Sequence, residues 1–176
     1  MDGRLSPPLE DVDHILGELS RPMQLVMFGD FQCPFCLGAQ SVLRRVRDRL
    51  GDEMAFAFRH LPIPERHPLA QVAAEASEGA GAQGRFWDFY DAVYAAQPKL
   101  SKEEVLLEIA REIGLDAERI GREIAEETWT ERVGRDLASA ADSGATGTPT
   151  FFVNGMVHYG AYDASSLVEA LRAPSP

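Results

Sequence analysis

Residues 24–36, QLVMFGDFQCPFC, decide the fold of this chain. The first five residues of the stretch are apolar and β-prone, which is typical of a strand buried on both faces. Gly29 and Asp30 interrupt the strand, and a helical pattern begins near Cys33. Both cysteines of the chain therefore lie at a junction between a strand and a helix.

The residues that follow predict a βαβ unit. Apolar side chains repeat at helical spacing from Cys33 to Leu50, and Gly51 is the expected C′ residue. Residues 54–60 then alternate between two faces, with Arg59 on the second, which predicts a half-buried strand. A helix between two such strands is typical of parallel pairing.

A block of helices comes next, from Pro68 to about residue 143. Pro68 is expected at the first helical position, Ser101 and Glu104 form the pattern of a capping box, and Asp116 can cap a further helix. We expect the aromatic residues of the second helix to form the core of the block, with an apolar rim for unfolded substrates as the alternative. These are Phe86, Trp87, Phe89, Tyr90 and Tyr94.

The end of the chain returns to a strand pattern. Residues 150–153 and 156–159 flank Asn154-Gly155, a strong signal for a two-residue hairpin. Asp163 can cap a last helix. The predicted order is βαβ, a helical block, and ββα.

Composition limits the possible functions. The chain has 176 residues, is 45% hydrophobic and carries a formal net charge of −11, which fits one globular domain and argues against nucleic acid or an anionic membrane as a partner. Before residue 23, acidic residues interrupt every apolar stretch, so no export signal is recognised. We therefore expect a cytoplasmic protein, and an exported form whose signal has been removed would fit the same sequence.

The cysteine pair carries the chemistry. Free N–H groups at a helix start stabilise a thiolate, the attacking form in disulfide exchange. Cys33 is expected to be the exposed nucleophile, and Cys36, one turn further on, the buried thiol that resolves a mixed disulfide. Pro34 fits the first turn, where a missing N–H costs little.

Two interpretations of the cysteine pair without redox chemistry stay open. The cysteines could simply pack in the core, although a CxxC motif at a strand-to-helix junction is typical of redox proteins. They could also form half of a zinc site, for which His60 and His67 are the nearby ligands, at a spacing that suggests no site. We therefore predict no metal and no cofactor.

Three motifs resemble the DsbA-like thioredoxin-fold proteins, and most closely the group that includes the BdbD-type disulfide-formation proteins. They are FGDFQCPFC at 28–36, RHLPIPERHPLA at 59–70 and GATGTPTFFVNG at 144–155. The resemblance, which spans residues 12–172, implies an α/β thioredoxin fold with an α-helical subdomain inserted between the second and third core strands. The core would comprise residues 12–62 and 144–173, and the subdomain residues 63–143.

The resemblance also implies roles for individual residues. Cys33 and Cys36 match the redox pair of the family. Pro149 matches the family's cis-proline beside that pair, and Thr148 would offer backbone groups to an extended substrate peptide. The supporting residues are Pro34, Phe35 and Asp30.

The chain departs from the family at several positions. Met27 stands where many relatives carry an acid that assists proton transfer to the buried thiol, Gln32 stands where Glu is frequent, and Phe35 stands where the strongest oxidants carry His. Without a cationic neighbour, the Cys33 thiolate should be less stabilised and the pair less oxidising. Asp30 is interpreted as a turn residue, with proton handling as the alternative.

The sequence thus predicts a thiol-disulfide oxidoreductase that exchanges its CPFC dithiol or disulfide with protein or low-molecular-weight thiols. A redox partner protein or small thiol would restore it, and a cytoplasmic setting favours a reductase role. One alternative is a glutathione-dependent transferase or isomerase on the same fold, although such relatives usually carry Ser at the position of Cys33. Another is a non-catalytic, chaperone-like binding module.

Overall fold

A five-stranded mixed sheet forms the centre of the protein. The computed structural model describes residues 3–174. The strands are β1 (His14–Leu16), β2 (Met23–Gly29), β3 (Met54–His60), β4 (Thr150–Val153) and β5 (Met156–Val157), and their order in the sheet is β1-β3-β2-β4-β5. The β2 and β3 strands are parallel, and every other neighbouring pair is antiparallel.

Within the described residues, 3–174, seven α-helices and two short 3₁₀ turns accompany the sheet. The helices are α1 (Pro34–Leu50), α2 (Ala70–Gly81), α3 (Phe86–Ala96), α4 (Glu103–Glu112), α5 (Ala117–Ala125), α6 (Thr130–Ser143) and α7 (Ala164–Arg172); the 3₁₀ turns are Gly51–Glu53 and Gln97–Lys99. Five helices thus lie between β3 and β4. The predicted fold class, a thioredoxin fold with a helical insertion, is confirmed, whereas the predicted domain bounds remain a prediction.

Both faces of the sheet are buried. On one face, Leu25 and Met27 of β2 lie in the large core with residues of α1, α3 and α7. On the other, Val26 and Phe28 lie in a smaller cluster that also holds Leu5, from the segment before β1. The β2 strand therefore has the two-sided burial that its continuous apolar run predicts.

The prediction that β3 is half-buried is wrong. All seven residues of the strand are buried, and Arg59 has no exposed surface. The segment before β1, together with α6, covers the second face: the Arg59 guanidinium donates to both carboxylate oxygens of Asp13, at 2.9 and 2.8 Å, and to the Ser139 hydroxyl at 2.7 Å. The alternating pattern with Arg59 on its second face predicted that this face is exposed to solvent. In the structure, that face is covered and Arg59 forms a buried ion pair with Asp13.

Three smaller expectations about the elements also need correction, and one strand was missed. The three-residue strand β1 was not predicted, and the return strand β5 ends at Val157 instead of residue 159. The α2 helix begins two residues after Pro68, and α4 has Lys102 at its N-cap position with no side-chain cap, so Ser101 does not cap it. Short strands and helix starts depend on tertiary contacts that local patterns do not carry.

The predicted turns and remaining caps are confirmed. Asn154 and Gly155 have φ angles of 49° and 81°, as the tight hairpin between β4 and β5 requires. Asp116 accepts a hydrogen bond from the Arg119 N–H at the start of α5, and Asp163 caps α7 in the same way. In residues 3–174, no helix has the length and apolar character needed to cross a membrane.

Candidate active site

The two cysteines lie where the carboxyl end of β2 meets the start of α1. Cys33 is the N-cap residue of the helix with extended backbone (φ −70°, ψ 120°), and Pro34 occupies the first turn, where a proline ring is tolerated. Both cysteines are free thiols. The structure therefore places the pair at the helix start that the sequence predicts.

Cys33 is buried, which corrects the expectation of an exposed nucleophile. Only 3% of its surface is accessible, and its Sγ lies 3.4 Å from the Thr148 carbonyl oxygen, to which the thiol donates when it is protonated. The Gln97 side-chain amide, from the turn after α3, donates to the Cys33 carbonyl oxygen at 3.1 Å. The inserted helices and the loop before β4 together close over the sulfur, and local sequence could not predict this.

The environments of the two thiols separate their pKa values. A hydrogen bond from the Cys36 thiol is the main reason that the pKa of Cys33 is lowered to about 5. Burial opposes this shift, whereas the Thr148 side chain and the N–H groups of the helix start add to it. Burial, followed by the neighbouring Cys33 sulfur, raises the pKa of Cys36 far above its usual range. Near neutral pH the pair is thus a thiolate beside a protonated thiol, without any cationic neighbour of the kind the sequence analysis looked for.

The loop before β4 reaches Cys33 through the carbonyl oxygen of Thr148, and Pro149 follows Thr148 in that loop. The peptide bond between them is cis, and both residues are half-buried. The Phe35 side chain between the cysteines is 66% exposed, and Pro34 is exposed as well. The site therefore presents an apolar, solvent-facing turn next to a cis-peptide loop.

Asp30 is a buried structural residue of the turn between β2 and α1. Its carboxylate accepts hydrogen bonds from the backbone N–H groups of Gln32 (2.8 Å) and Ile63 (3.0 Å), and it pairs with Nδ1 of His67 at 2.7 Å. Its own carbonyl accepts the Cys33 N–H at 3.1 Å. Three donors already occupy the carboxylate, which favours the turn interpretation over proton handling.

Some residues at the site were missed by sequence reasoning. His67 and Gln32 join the second motif to the first: Oε1 of Gln32 accepts the Leu69 N–H at 2.6 Å. His67 falls inside the quoted RHLPIPERHPLA motif, which was the available signal; the sequence favoured a structural role for it over zinc binding but did not predict its pairing with Asp30. Gln97 carries no sequence signal because its contact depends on how the inserted helices pack.

An aromatic cluster lies beneath the cysteines and joins α3 to the sheet. Phe31 has ring centroids at 5.1 Å from Tyr94, 5.8 Å from Tyr90 and 5.4 Å from Phe58. The expectation that the α3 aromatics form core is confirmed for all but Trp87, which is half-buried. These rings hold α3 against the segment that precedes the active-site helix.

The nearest metal-ligand geometry lies away from the cysteines. His60, considered above as a zinc ligand, donates to Oε1 of Glu78 at 2.8 Å, and His14 approaches the same oxygen at 2.9 Å. These three side chains could offer ligand atoms within 4.8 Å of one another. The Arg132 guanidinium lies 3.7 Å from that oxygen and already neutralises it, which disfavours a cation there.

Comparison with known proteins points to one family. Residues 67–172 match the family of DSBA-like thioredoxin domains. The matched range contains Thr148 and Pro149, whereas Cys33 and Cys36 lie before it.

Solved structures share the fold over nearly the whole chain. The oxidised BdbD from Bacillus subtilis superposes with a TM-score of 0.82 at 23% identity and covers 98% of each chain. A thioredoxin-like oxidoreductase from Silicibacter pomeroyi DSS-3 superposes with a TM-score of 0.79 at 28% identity, covering 92% of this chain and 91% of that one.

The curated relatives are much longer proteins. A protein named Na(+)/H(+) antiporter NhaA from Herminiimonas arsenicoxydans is 42% identical over 170 residues, which is 96% of this chain and 27% of that protein. The chain spans about a quarter of the length of the first curated relatives that it matches, with shares of 25% and 27%. The similarity therefore concerns one segment of those proteins.

Proposed function

We propose that this chain, which belongs to the DSBA-like thioredoxin domain family, is a thiol-disulfide oxidoreductase that uses Cys33 and Cys36 as its redox pair. One observation carries the proposal: at one helix start, the pKa of Cys33 is lowered to about 5 while that of Cys36 is raised. Such a separation is what a stepwise exchange needs, because one thiol must attack and the other must wait.

The exchange proceeds in two displacements. When a substrate disulfide is reduced, the Cys33 thiolate attacks one substrate sulfur, the substrate S–S bond breaks, and the other substrate sulfur leaves as a thiolate. Cys36 then loses its proton and attacks the Cys33 sulfur, which releases the second substrate thiolate and leaves the enzyme disulfide. Two electrons pass to the substrate, and oxidation of a substrate dithiol runs through the same steps in reverse.

The surface at the site supports protein or small-thiol substrates. Phe35 and Pro34 offer exposed apolar area next to Cys33, and the loop before β4 lies on the other side. In our proposal, Thr148 and Pro149 line the substrate site, and Thr148 bonds an extended peptide through its backbone. The thiol partner that resets the pair belongs to the same chemical class, a protein or low-molecular-weight thiol.

The lowered pKa of Cys33 bears on the direction of exchange. A stabilised thiolate favours the reduced enzyme, so the pair passes its disulfide to substrates more readily than an unperturbed pair does. A value of about 5 lies between the values of about 7 and about 3.5 known for thioredoxin and DsbA thiols. We retain the predicted cytoplasmic location as part of the proposal, and cell fractionation of the native protein tests it.

The test compares wild type with Cys33→Ala and Cys36→Ala in the reduction of a peptide disulfide. Wild type should turn over, Cys33→Ala should be inactive, and Cys36→Ala should accumulate a mixed disulfide through Cys33 that mass spectrometry detects. Equal rates in wild type and Cys33→Ala would contradict the proposal and favour a binding module. Thiol-adduct formation that survives Cys33→Ser would instead favour the transferase alternative.

A further inference from the structure

The exchange proposed above requires Cys36 to lose or gain a proton in every cycle, although the residue is fully buried. The groups that face it come from several elements. From β2 and the turn after it come uncharged Met27 and the backbone N–H of Asp30. Cys33 and Gln40 belong to the start of α1, Thr148 to the loop before β4, and Tyr90 and Tyr94 to α3.

Asp30 is poorly suited to carry this proton. Its backbone N–H donates to the Cys36 sulfur, but its carboxylate is held by Gln32, Ile63 and His67. Moving the carboxylate toward the sulfur would break bonds that hold the active-site turn. A route for the proton must therefore use other groups.

The Tyr90 hydroxyl is one of two buried side-chain polar atoms without a hydrogen-bond partner in residues 3–174, the other being Nη1 of Arg135. Tyr90 is 2% exposed, and within residues 3–174 no hydrogen-bond partner lies within 3.5 Å of its hydroxyl at a favourable angle, although the Gln40 amide is nearby. Tyr94, one turn further along α3, donates to the Asp30 carbonyl at 3.2 Å. A buried hydroxyl without a close partner destabilises the fold, so its retention needs a reason.

The hydroxyl of Tyr90 faces the side chain of Gln40, which lies one helical turn after Cys36 on α1. Burial raises the pKa of Tyr90 well above its usual range, the Gln40 amide opposes the rise, and negative charge on Cys36 adds to it. The Gln40 amide itself donates to the Cys36 carbonyl oxygen at 3.0 Å. Because the hydroxyl keeps its proton at working pH, it can donate to a sulfur anion or to water, but it cannot act as the base.

A cleft beside Gln40 opens to the surface. It lies between α1 and α3, has a volume of about 280 Å³ and is lined by Gln40, Tyr94, Arg44 and Asp91 among others. Its outer residues Arg44 and Asp91 are exposed. Partial burial raises the pKa of Asp91, with Arg47 and Arg44 opposing the rise, so a titratable acid stands at the mouth.

We propose that Tyr90 and Gln40 connect the Cys36 sulfur to the α1–α3 cleft and that Tyr90 is the positioning residue for proton exchange of the resolving thiol. The proton of Cys36 leaves to water held by the Tyr90 hydroxyl and the Gln40 amide, and passes through the cleft to solvent. The resulting thiolate attacks Cys33 with the electron balance given above. Because the inference rests on the proposed function, its test must resolve the two displacements separately.

The test follows reduced, full-length protein mixed rapidly with glutathione disulfide. The first displacement forms the glutathione adduct on Cys33, and the second forms the enzyme disulfide. Tyr90→Phe keeps the ring and removes only the hydroxyl, so it should slow the second displacement about tenfold and move its pH profile upward, while the first step stays unchanged. Gln40→Met should act in the same direction, and Tyr159→Phe, at a residue that is 89% exposed, is the matched control.

The possible outcomes are distinct. A second step with the same rate and pH profile in wild type and Tyr90→Phe overturns the inference but leaves the proposed function intact. Failure of the wild-type protein to form either the adduct or the disulfide overturns the proposed function itself. If Tyr90→Phe does not fold, the rate of the second displacement in Gln40→Met tests the inference instead. An unchanged rate and pH profile of that step in Gln40→Met would also overturn the inference.

Discussion

At the scale of single residues, the cysteine pair supplies its own acidity. The largest influence that lowers the pKa of Cys33 is the neighbouring Cys36 thiol, which donates to the Cys33 sulfur. The N–H groups of the first turn of α1 add to it, as expected at a helix start. Reactivity is therefore built into the spacing of the motif and needs no cation.

This leads to a prediction about Cys36. Removing the donor with Cys36→Ala should raise the pKa of Cys33 from about 5 toward the unperturbed value of 9.0. The pH dependence of Cys33 alkylation, or the ultraviolet absorbance of its thiolate, measures the change. Cys36→Ser keeps a hydroxyl donor and should leave the pKa well below that of the alanine variant.

The lowered pKa of Cys33 also contributes to the pH dependence of the free energy of unfolding of the reduced protein. A thiol whose pKa is lower in the folded than in the unfolded state stabilises the fold fully above pH 9.0, and the contribution is lost as the pH falls through about 5. The disulfide form carries no such thiol and should lack this contribution.

The Cys36 variants described above also have an outcome that would contradict the prediction. Equal pKa values of Cys33 in Cys36→Ala and Cys36→Ser would show that the helix start alone acidifies the sulfur.

The sequence predicted the position of the cysteine pair better than its accessibility. A CxxC motif at a strand-to-helix junction identifies the thiols because the dipole and free N–H groups are local features. The burial of Cys33 depends on Thr148 and Gln97, which are 115 and 64 positions away along the chain. Such contacts follow from tertiary packing, which no local pattern encodes.

At the scale of elements, helix starts show which local signals are strong enough to predict. Asp116 caps α5 as expected, whereas Ser101 was expected to cap α4 and does not. Asp116→Ala should therefore lower the free energy of unfolding by about 1 kcal/mol, because the Arg119 N–H loses its acceptor. Chemical denaturation measures the loss.

Ser101→Ala is the matched control for this prediction. Because the Ser101 side chain makes no cap, its removal should change the free energy of unfolding by less than about 0.5 kcal/mol. A loss as large as that of Asp116→Ala would mean that Ser101 caps α4 in solution and that the sequence pattern was right.

The order of elements was predictable because each core element carries its own pattern. The strands β2 and β3 and the helix α1 agree with the predicted ranges to within a residue or two. The three-residue β1 was missed because it is too short for a period-2 pattern and forms only by pairing with β3. The β1 strand pairs with β3 and forms the edge of the sheet on that side, an edge strand that the sequence pattern did not predict.

At the scale of the whole molecule, the segment before β1 works as part of the core. It seals the second face of the sheet through the buried pair of Arg59 with Asp13, and the same guanidinium donates to the carbonyl oxygens of Pro7 and Pro8 at 2.9 Å each. Ser139 on α6 is a further acceptor. One side chain thus connects β3, the N-terminal segment and the inserted helices.

Arg59→Met should therefore destabilise the protein strongly. Removing the cation leaves Asp13 buried without its main partner, which costs about 3 to 5 kcal/mol. Thermal or urea unfolding measures the loss, and Arg45→Met, at an exposed position of α1, is the control. A loss below about 1 kcal/mol in Arg59→Met would show that the segment is held by apolar contacts instead of the ion pair.

Glu78 on α2 makes a second connection of the same kind, because it pairs with His14 on β1, His60 at the end of β3 and Arg132 on α6. Burial alone would raise its pKa, but hydrogen bonds from the two histidines outweigh burial and hold the pKa well below its usual range.

A carboxylate with a depressed pKa stabilises the fold above the unfolded pKa of about 4.3, and that stability is lost as the pH falls toward the folded value. Glu78→Gln should therefore lower the free energy of unfolding by about 3 kcal/mol at neutral pH and flatten its decline below pH 4, as measured by urea unfolding across pH. Glu169→Gln, at an exposed position of α7, should keep the wild-type curve, and an equally steep acid decline in Glu78→Gln would place the acid sensitivity on other carboxylates.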